Sequence, residues 1–130
     1  MTAEPDTMTG HRRESPVKVH YLEIVSRDVE AVCKAYETVH SVSFGEPNEL
    51  LGGARTCTLA DESIVGVRGP LRDTEEPIVR PYWLVDDVER AVADAQAEGA
   101  RTAMAPTKIP GKGRFAIYAL GGVNHGLWQL

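Results

Sequence analysis

Apolar and polar positions alternate along the chain in short runs, interrupted twice by a helical stripe. VKVHYLEIV (17–25) is rich in β-branched and aromatic residues and predicts a strand. Behind Asp28, a good N-cap residue, Val29, Val32, Cys33, Tyr36 and Val39 recur at helical spacing, which predicts a helix over 28–40. Short strands are expected at 42–46, 54–60 and 63–68, with turn chemistry between them at Pro47, Asn48, Gly52, Gly53 and Asp61. An acidic, proline-containing linker follows at 70–77. The order then starts again. A strand is expected at 78–86, made an edge or irregular strand by Pro81, and a helix at 87–100, capped by Asp87 and ended by Gly99. Strands at 101–105, 114–119 and 124–130 complete the pattern.

The two halves superimpose at an offset of 59 residues, which pairs Asp28-Val29-Glu30 with Asp87-Val88-Glu89. The same offset pairs Pro47 with Pro106, Gly52 with Gly111, Arg55 with Arg114 and Ala60 with Ala119. A single gap-free offset that also aligns strand, helix cap and turn points to an internal duplication. The expected fold class is α+β: two tandem βαβββ modules, 17–69 and 78–130, forming curled mixed sheets around a cavity in a single domain over 17–130. Residues 1–16 are polar and aperiodic, and are expected to be a disordered leader.

The chain has 130 residues, enough for one compact domain, and ordinary hydrophobic (42%) and charged (25%) fractions. A net charge of −5 and the lack of a basic stripe argue against a nucleic-acid partner. No apolar run approaches the roughly 20 residues needed to span a bilayer, so no membrane association is expected. Cys33 and Cys57 have neither disulfide-framework nor metal-type spacing and are expected to be reduced, buried thiols in a cytoplasmic protein.

The openings HYLEIVSRDVEAVCKAYE and YWLVDDVERAVADAQAEGA, the hairpin IPGKGRFAIY and the closing strand HGLWQL together resemble the vicinal oxygen chelate superfamily: glyoxalase I, extradiol dioxygenases and bleomycin-resistance proteins. The resemblance covers about residues 17–130 and rests on order and spacing rather than on one motif. It implies two modules facing each other around a cavity, association into a homodimer, and in catalytic members a divalent metal. The metal ligands come from the first strand of each module (His or Gln) and the last strand (usually Glu). Carried onto this chain, those positions are Tyr21, Gly66 or Arg68, Arg80 and Gln129, a set that suits no divalent ion. No cofactor is therefore expected. The alternative, a divalent metal held by His20, needs a one-residue slip of the first strand.

Strand alternation places Tyr21 and Glu23 on the cavity face of the first strand, Arg80, Tyr82 and Leu84 on that of its repeat, and Leu127 with Gln129 on that of the last. Trp83 and Trp128 are expected on the opposite face, packing under the helices. The candidate site is then Glu23 and Tyr21 as catalytic groups, with Arg80, Tyr82, Gln129 and Leu127 as ligand-binding groups. Such a set suits a small organic ligand, carboxylate-bearing or aromatic, with Arg80 on an anionic oxygen and Glu23 accepting a proton. Structural pairing of Glu23 with Arg80 is the competing reading. His125 is expected in a turn, His40 suits a helix C-terminus without a function, and IPGKGR (109–114) is expected as a hairpin lid over the cavity. Two functions remain open: metal-independent binding of the bleomycin-resistance type, or a lyase, isomerase or dioxygenase/hydroxylase-like enzyme.

Overall fold

The computed structural model describes residues 15–130. Of the expected leader, residues 1–14 lie outside the described residues. Seven strands form one mixed sheet, ordered β2-β3-β1-β4-β7-β6-β5. They are β1 (Val19–Val25), β2 (Arg55–Thr58), β3 (Ile64–Arg68), β4 (Ile78–Leu84), β5 (Arg101–Ile109), β6 (Gly113–Leu120) and β7 (Val123–Gln129). Two helices, α1 (Val29–His40) and α2 (Val88–Ala97), follow the two opening strands.

Both helices begin as their sequences require. Asp28 accepts a hydrogen bond from Ala31 N, and Asp87 accepts one from Arg90 N. Each helix is then tied by the same ion pair to a strand of its own half. Arg55 Nη1 reaches Glu30 at 2.7 Å, and Arg114 Nη2 reaches Glu89 at 2.8 Å. The helices leave two apolar clusters on the outer face of the sheet. One gathers Ile24, Cys33, Phe44, Cys57, Val65 and Val67 beneath α1, and the other gathers Val88, Val92, Ala116 and Leu127 beneath α2.

Two expectations for the strands are corrected. Residues 42–46 form no strand, and a short 3-10 helix (Glu49–Leu51) follows instead. Side chains have claimed the backbone groups a ladder would use. Arg55 Nε donates to Gly45 O and Nη2 to Phe44 O, while Glu37 accepts from Phe44 N. Only Gly45 N and Asn48 still pair with the β2 side, at Thr56 O and at Ala54. The second correction concerns Pro81, which sits in a central strand rather than an edge one. It is tolerated because β7 pairs only with Tyr82–Leu84, so the Pro81 end of β4 is bonded on one side, to β1.

The centre of the sheet positions the site. β1 and β4 run antiparallel, with Tyr21 opposite Tyr82 and Glu23 opposite Arg80. β3 lies parallel to β1 with Gly66 beside Glu23, and β7 parallel to β4 with Gly126 beside Tyr82. Neither glycine has room for a side chain. A Cβ at 66 would collide with the Tyr21 hydroxyl, and one at 126 would lie 2.5 Å from the Tyr82 ring.

Candidate functional site

A cavity of about 500 Å³ opens on the inner face of the sheet and has two chemically distinct ends. One end is aromatic. Tyr21 stacks on Trp128 at 5.2 Å between ring centroids, and Tyr82 meets both edge-on at 5.9 and 5.8 Å. Phe115 and Ile117 of β6, with Ile109 and Pro110 of the β5–β6 hairpin, complete that wall. Burial first, and the nearby Glu23 charge second, push both tyrosine hydroxyls well above the usual phenol range, so they remain protonated donors.

The other end is ionic. Arg68 Nε donates to Glu23 Oε2 at 2.8 Å, while Arg80 Nη1 at 3.2 Å and the Tyr82 hydroxyl at 2.9 Å donate to Oε1. Three of the roughly four acceptor directions of the carboxylate are therefore taken. Glu75, from the segment joining the halves, holds Arg68 Nη1 and Nη2 through its two oxygens at 2.9 and 2.8 Å. Those hydrogen bonds are the main cause that holds its carboxyl down at about 2. Arg80 is less well served: its Nε is buried and, among the described residues, has no hydrogen-bond partner.

Four of the residues picked from the sequence meet here. Tyr21, Glu23, Arg80 and Tyr82 all line the cavity. Gln129 and Leu127 do not. Gln129 Oε1 accepts from Val88 N at 2.8 Å and so caps the start of α2, and Leu127 packs in the cluster beneath that helix. The face of β7 is thus the reverse of the expected one, and Trp128, expected under a helix, is 3% exposed in the cavity wall. Trp83 also lies elsewhere than expected, 41% exposed instead of beneath a helix. Leu84 is buried but does not line the cavity.

The sequence contains a signal for the β7 face. Gly66 and Gly126 both stand under a tyrosine of the central pair, at an offset of 60 rather than 59. At that offset the position matching Arg68 is Trp128. Glu75, Phe115 and Ile117 carried no comparable signal. His20 occupies a β-bulge between the Val19–Trp83 and Tyr21–Tyr82 pairs. The slip is confined to that residue. Its ring lies 5.5 Å from Trp128, off the cavity lining, and burial lowers its pKa. His125, expected in a turn, lies instead within β7 and stacks on its cross-strand neighbour Tyr118, and Cys33 and Cys57 are free and buried.

A divalent ion does not fit this donor set. Such an ion needs several carboxylate or imidazole groups converging on one point. Here Glu23 and Glu75 each face a guanidinium, and no three His, Cys, Asp or Glu come together among the described residues.

The seven-stranded curled sheet, open at both edges and backed by two helices, is the vicinal oxygen chelate fold. It is shared with a hypothetical protein of Bacillus halodurans at 13% identity and a TM-score of 0.70, over 89% of this chain and 96% of that one. It is shared as well with methylmalonyl-CoA epimerase of Mycobacterium tuberculosis (16% identity, TM-score 0.65, 85% and 86% of the two chains). A methylmalonyl-CoA epimerase solved with methylmalonyl-CoA and ammonium is 17% identical with a TM-score of 0.63, over 88% and 95%. No protein-family model and no curated protein matches the sequence.

Proposed function

We propose that this chain binds a small organic acid with an aromatic or apolar body, in the manner of bleomycin-resistance proteins and without the divalent metal of the catalytic members. The observation that carries the reading is Arg80, a lining residue whose guanidinium gives one hydrogen bond to Glu23 and whose buried Nε has no partner among the described residues. A buried guanidinium N–H without an acceptor costs roughly 1–3 kcal/mol, which a carboxylate donated into the cavity recovers as a charge-assisted bond. The rings of Tyr21, Tyr82, Phe115 and Trp128 supply the apolar bed beside it.

The second reading is an enzyme, favoured by the epimerases that share the fold and act on a CoA ester. It requires Glu23 or Tyr21 as the proton-transfer group. Glu23 has both oxygens already engaged by two guanidinium groups and a phenol, and the raised Tyr21 hydroxyl gives up no proton near neutrality. A homodimer belongs to the proposal, supported by the apolar strip of Val79, 58% exposed, and Trp83 on the outer face of a central strand. A cytoplasmic setting belongs to it as well, supported by the two reduced thiols. Among the described residues no helix is long and apolar enough to cross a membrane.

Calorimetric titration with a panel of aromatic and branched aliphatic carboxylates tests the reading. The expected result is saturable binding by an aromatic acid, lost in Arg80→Gln. Absence of binding across the panel, or turnover of methylmalonyl-CoA by the purified protein, would overturn it.

A further inference from the structure

We propose that Glu75 is a selectivity residue: its carboxylate fills the anion position on Arg68, so the cavity admits a ligand with one carboxylate and refuses a ligand with two. This rests on the organic-acid reading above and assigns a task to the acidic linker.

The two arginines of the ionic end differ in what they have left to give. Arg68 spends four of its five N–H groups inside the protein, one on Glu23, one on Gly69 O and two on Glu75. Arg80 spends one, on Glu23. Among the two arginines a ligand carboxylate therefore finds most of its free donors on Arg80, four N–H groups against one on Arg68. Two arginines and two glutamates leave this end neutral before a ligand arrives, and the first ligand charge is met by the unused edge of Arg80. A second ligand carboxylate directed at Arg68 would face Glu75. Like charges set against each other in a partly desolvated site repel, so the second carboxylate is disfavoured there.

Glu75 is held in place from several sides. Its Oε1 also accepts from Leu71 N at 2.7 Å, its own N–H bonds to Arg72 O, and its carbonyl, with that of Asp73, accepts from Arg27 Nη2. Its carboxyl stays ionised throughout the physiological range, so protonation does not lift the block. Arg72 and Lys108 also line the cavity, but they are exposed, and screened surface cations attract one or two charges with little discrimination.

The test is calorimetric titration of the full chain with benzoate and with isophthalate, which adds a second carboxylate to the same ring. Wild type is expected to bind benzoate more tightly than isophthalate. In Glu75→Gln and Glu75→Ala the preference falls by about tenfold or inverts, through a gain for isophthalate, because the like-charge penalty is gone. Glu75→Asp, which keeps the charge, is expected to retain the wild-type order. An unchanged ratio in Glu75→Gln, or an equal loss of preference in Glu75→Asp, overturns the assignment while leaving the organic-acid reading standing. If wild type and variants bind neither acid while melting cooperatively, the reading and the assignment fall together. Glu75→Ala decides the matter should Glu75→Gln not fold.

Discussion

Glu23 and Tyr82 stand 59 residues apart, the offset at which the two halves of the sequence align, and are hydrogen-bonded to each other at 2.9 Å. Positions that correspond between the halves thus meet at the seam between β1 and β4. The outer parts of the two halves have kept the same chemistry, as the matching Arg55–Glu30 and Arg114–Glu89 pairs show. At the seam they differ: a carboxylate faces a phenol, and the Arg68 position of one half is Trp128 in the other. That difference divides the cavity into an ionic end and an aromatic end.

Glu23 joins the two halves electrostatically, and its removal should be felt in stability. Glu23→Ala leaves Arg68 with Glu75 but removes the carboxylate that accepts from Arg80 and from the Tyr82 hydroxyl. A buried charge left without its counter-ion costs about 3 kcal/mol or more, and urea unfolding should show a loss of that order. Glu23→Gln, which keeps an acceptor for Tyr82, should lose less. A loss below about 1 kcal/mol in Glu23→Ala would place the cluster with exposed ion pairs.

The contact between Tyr21 and Gly66 predicts a rescue. A methyl at 66 would overlap the Tyr21 hydroxyl, with the ring carbon bearing it 2.5 Å away. Gly66→Ala should therefore destabilise by about 1–3 kcal/mol, as overpacking does. Tyr21→Phe removes only the nearest of the clashing atoms and leaves the ring carbon 2.5 Å from the methyl, so the double variant should recover part of the loss. A double-mutant cycle by chemical denaturation measures this coupling, and simple additivity would show that the strain lies elsewhere.

Glu75 gives the protein a pH dependence with a defined sign. Its carboxyl is held at about 2 in the folded chain, below the ordinary 4.5 expected on unfolding. A depressed carboxyl contributes stability that is complete above the unfolded value and is lost as pH falls through the folded one. The difference in unfolding free energy between wild type and Glu75→Gln should be constant above pH 5 and should shrink between about pH 4.5 and 2. A difference that does not change with pH would mean that the folded chain does not hold Glu75 as a carboxylate against Arg68.

Period and turn chemistry made most of this fold legible. Both helices begin at the aspartates that predicted them, and β1, β3, β4, β6 and β7 fall within two residues of their expected bounds. Residues 42–46 read as a strand because their composition suits one. Arg55 and Glu37, distant in sequence, take the backbone partners that the strand would need. Within the site, β1 could be read by alternation because Leu22 and Ile24 pack in the apolar cluster under α1, and β4 follows from its antiparallel pairing with β1. β7 could not, because a one-residue change of offset reverses every side chain while hardly altering the appearance of the strand. Arg68 stood at a position already weighed, but its link to Glu75 depends on how a linker folds back, which no periodicity records.

The closing strand supplies the sharpest separation of structure from binding. Gln129 Oε1 accepts the backbone N–H of Val88, the first residue of α2 and a fully buried one. A side-chain acceptor at a helix start is worth about 1 kcal/mol, so Gln129→Ala should lower stability by that amount. Gln129→Glu should keep the bond and place a negative charge at the positive end of the helix, leaving stability equal or slightly raised. Neither change touches the cavity, so organic-acid affinity by calorimetry should be unaltered in both. Trp128, one residue earlier and on the opposite face, should behave in the reverse sense: Trp128→Ala removes the ring stacked on Tyr21 and should abolish binding of an aromatic acid. Loss of affinity in Gln129→Ala without loss of stability would mean that β7 presents Gln129, not Trp128, to the cavity.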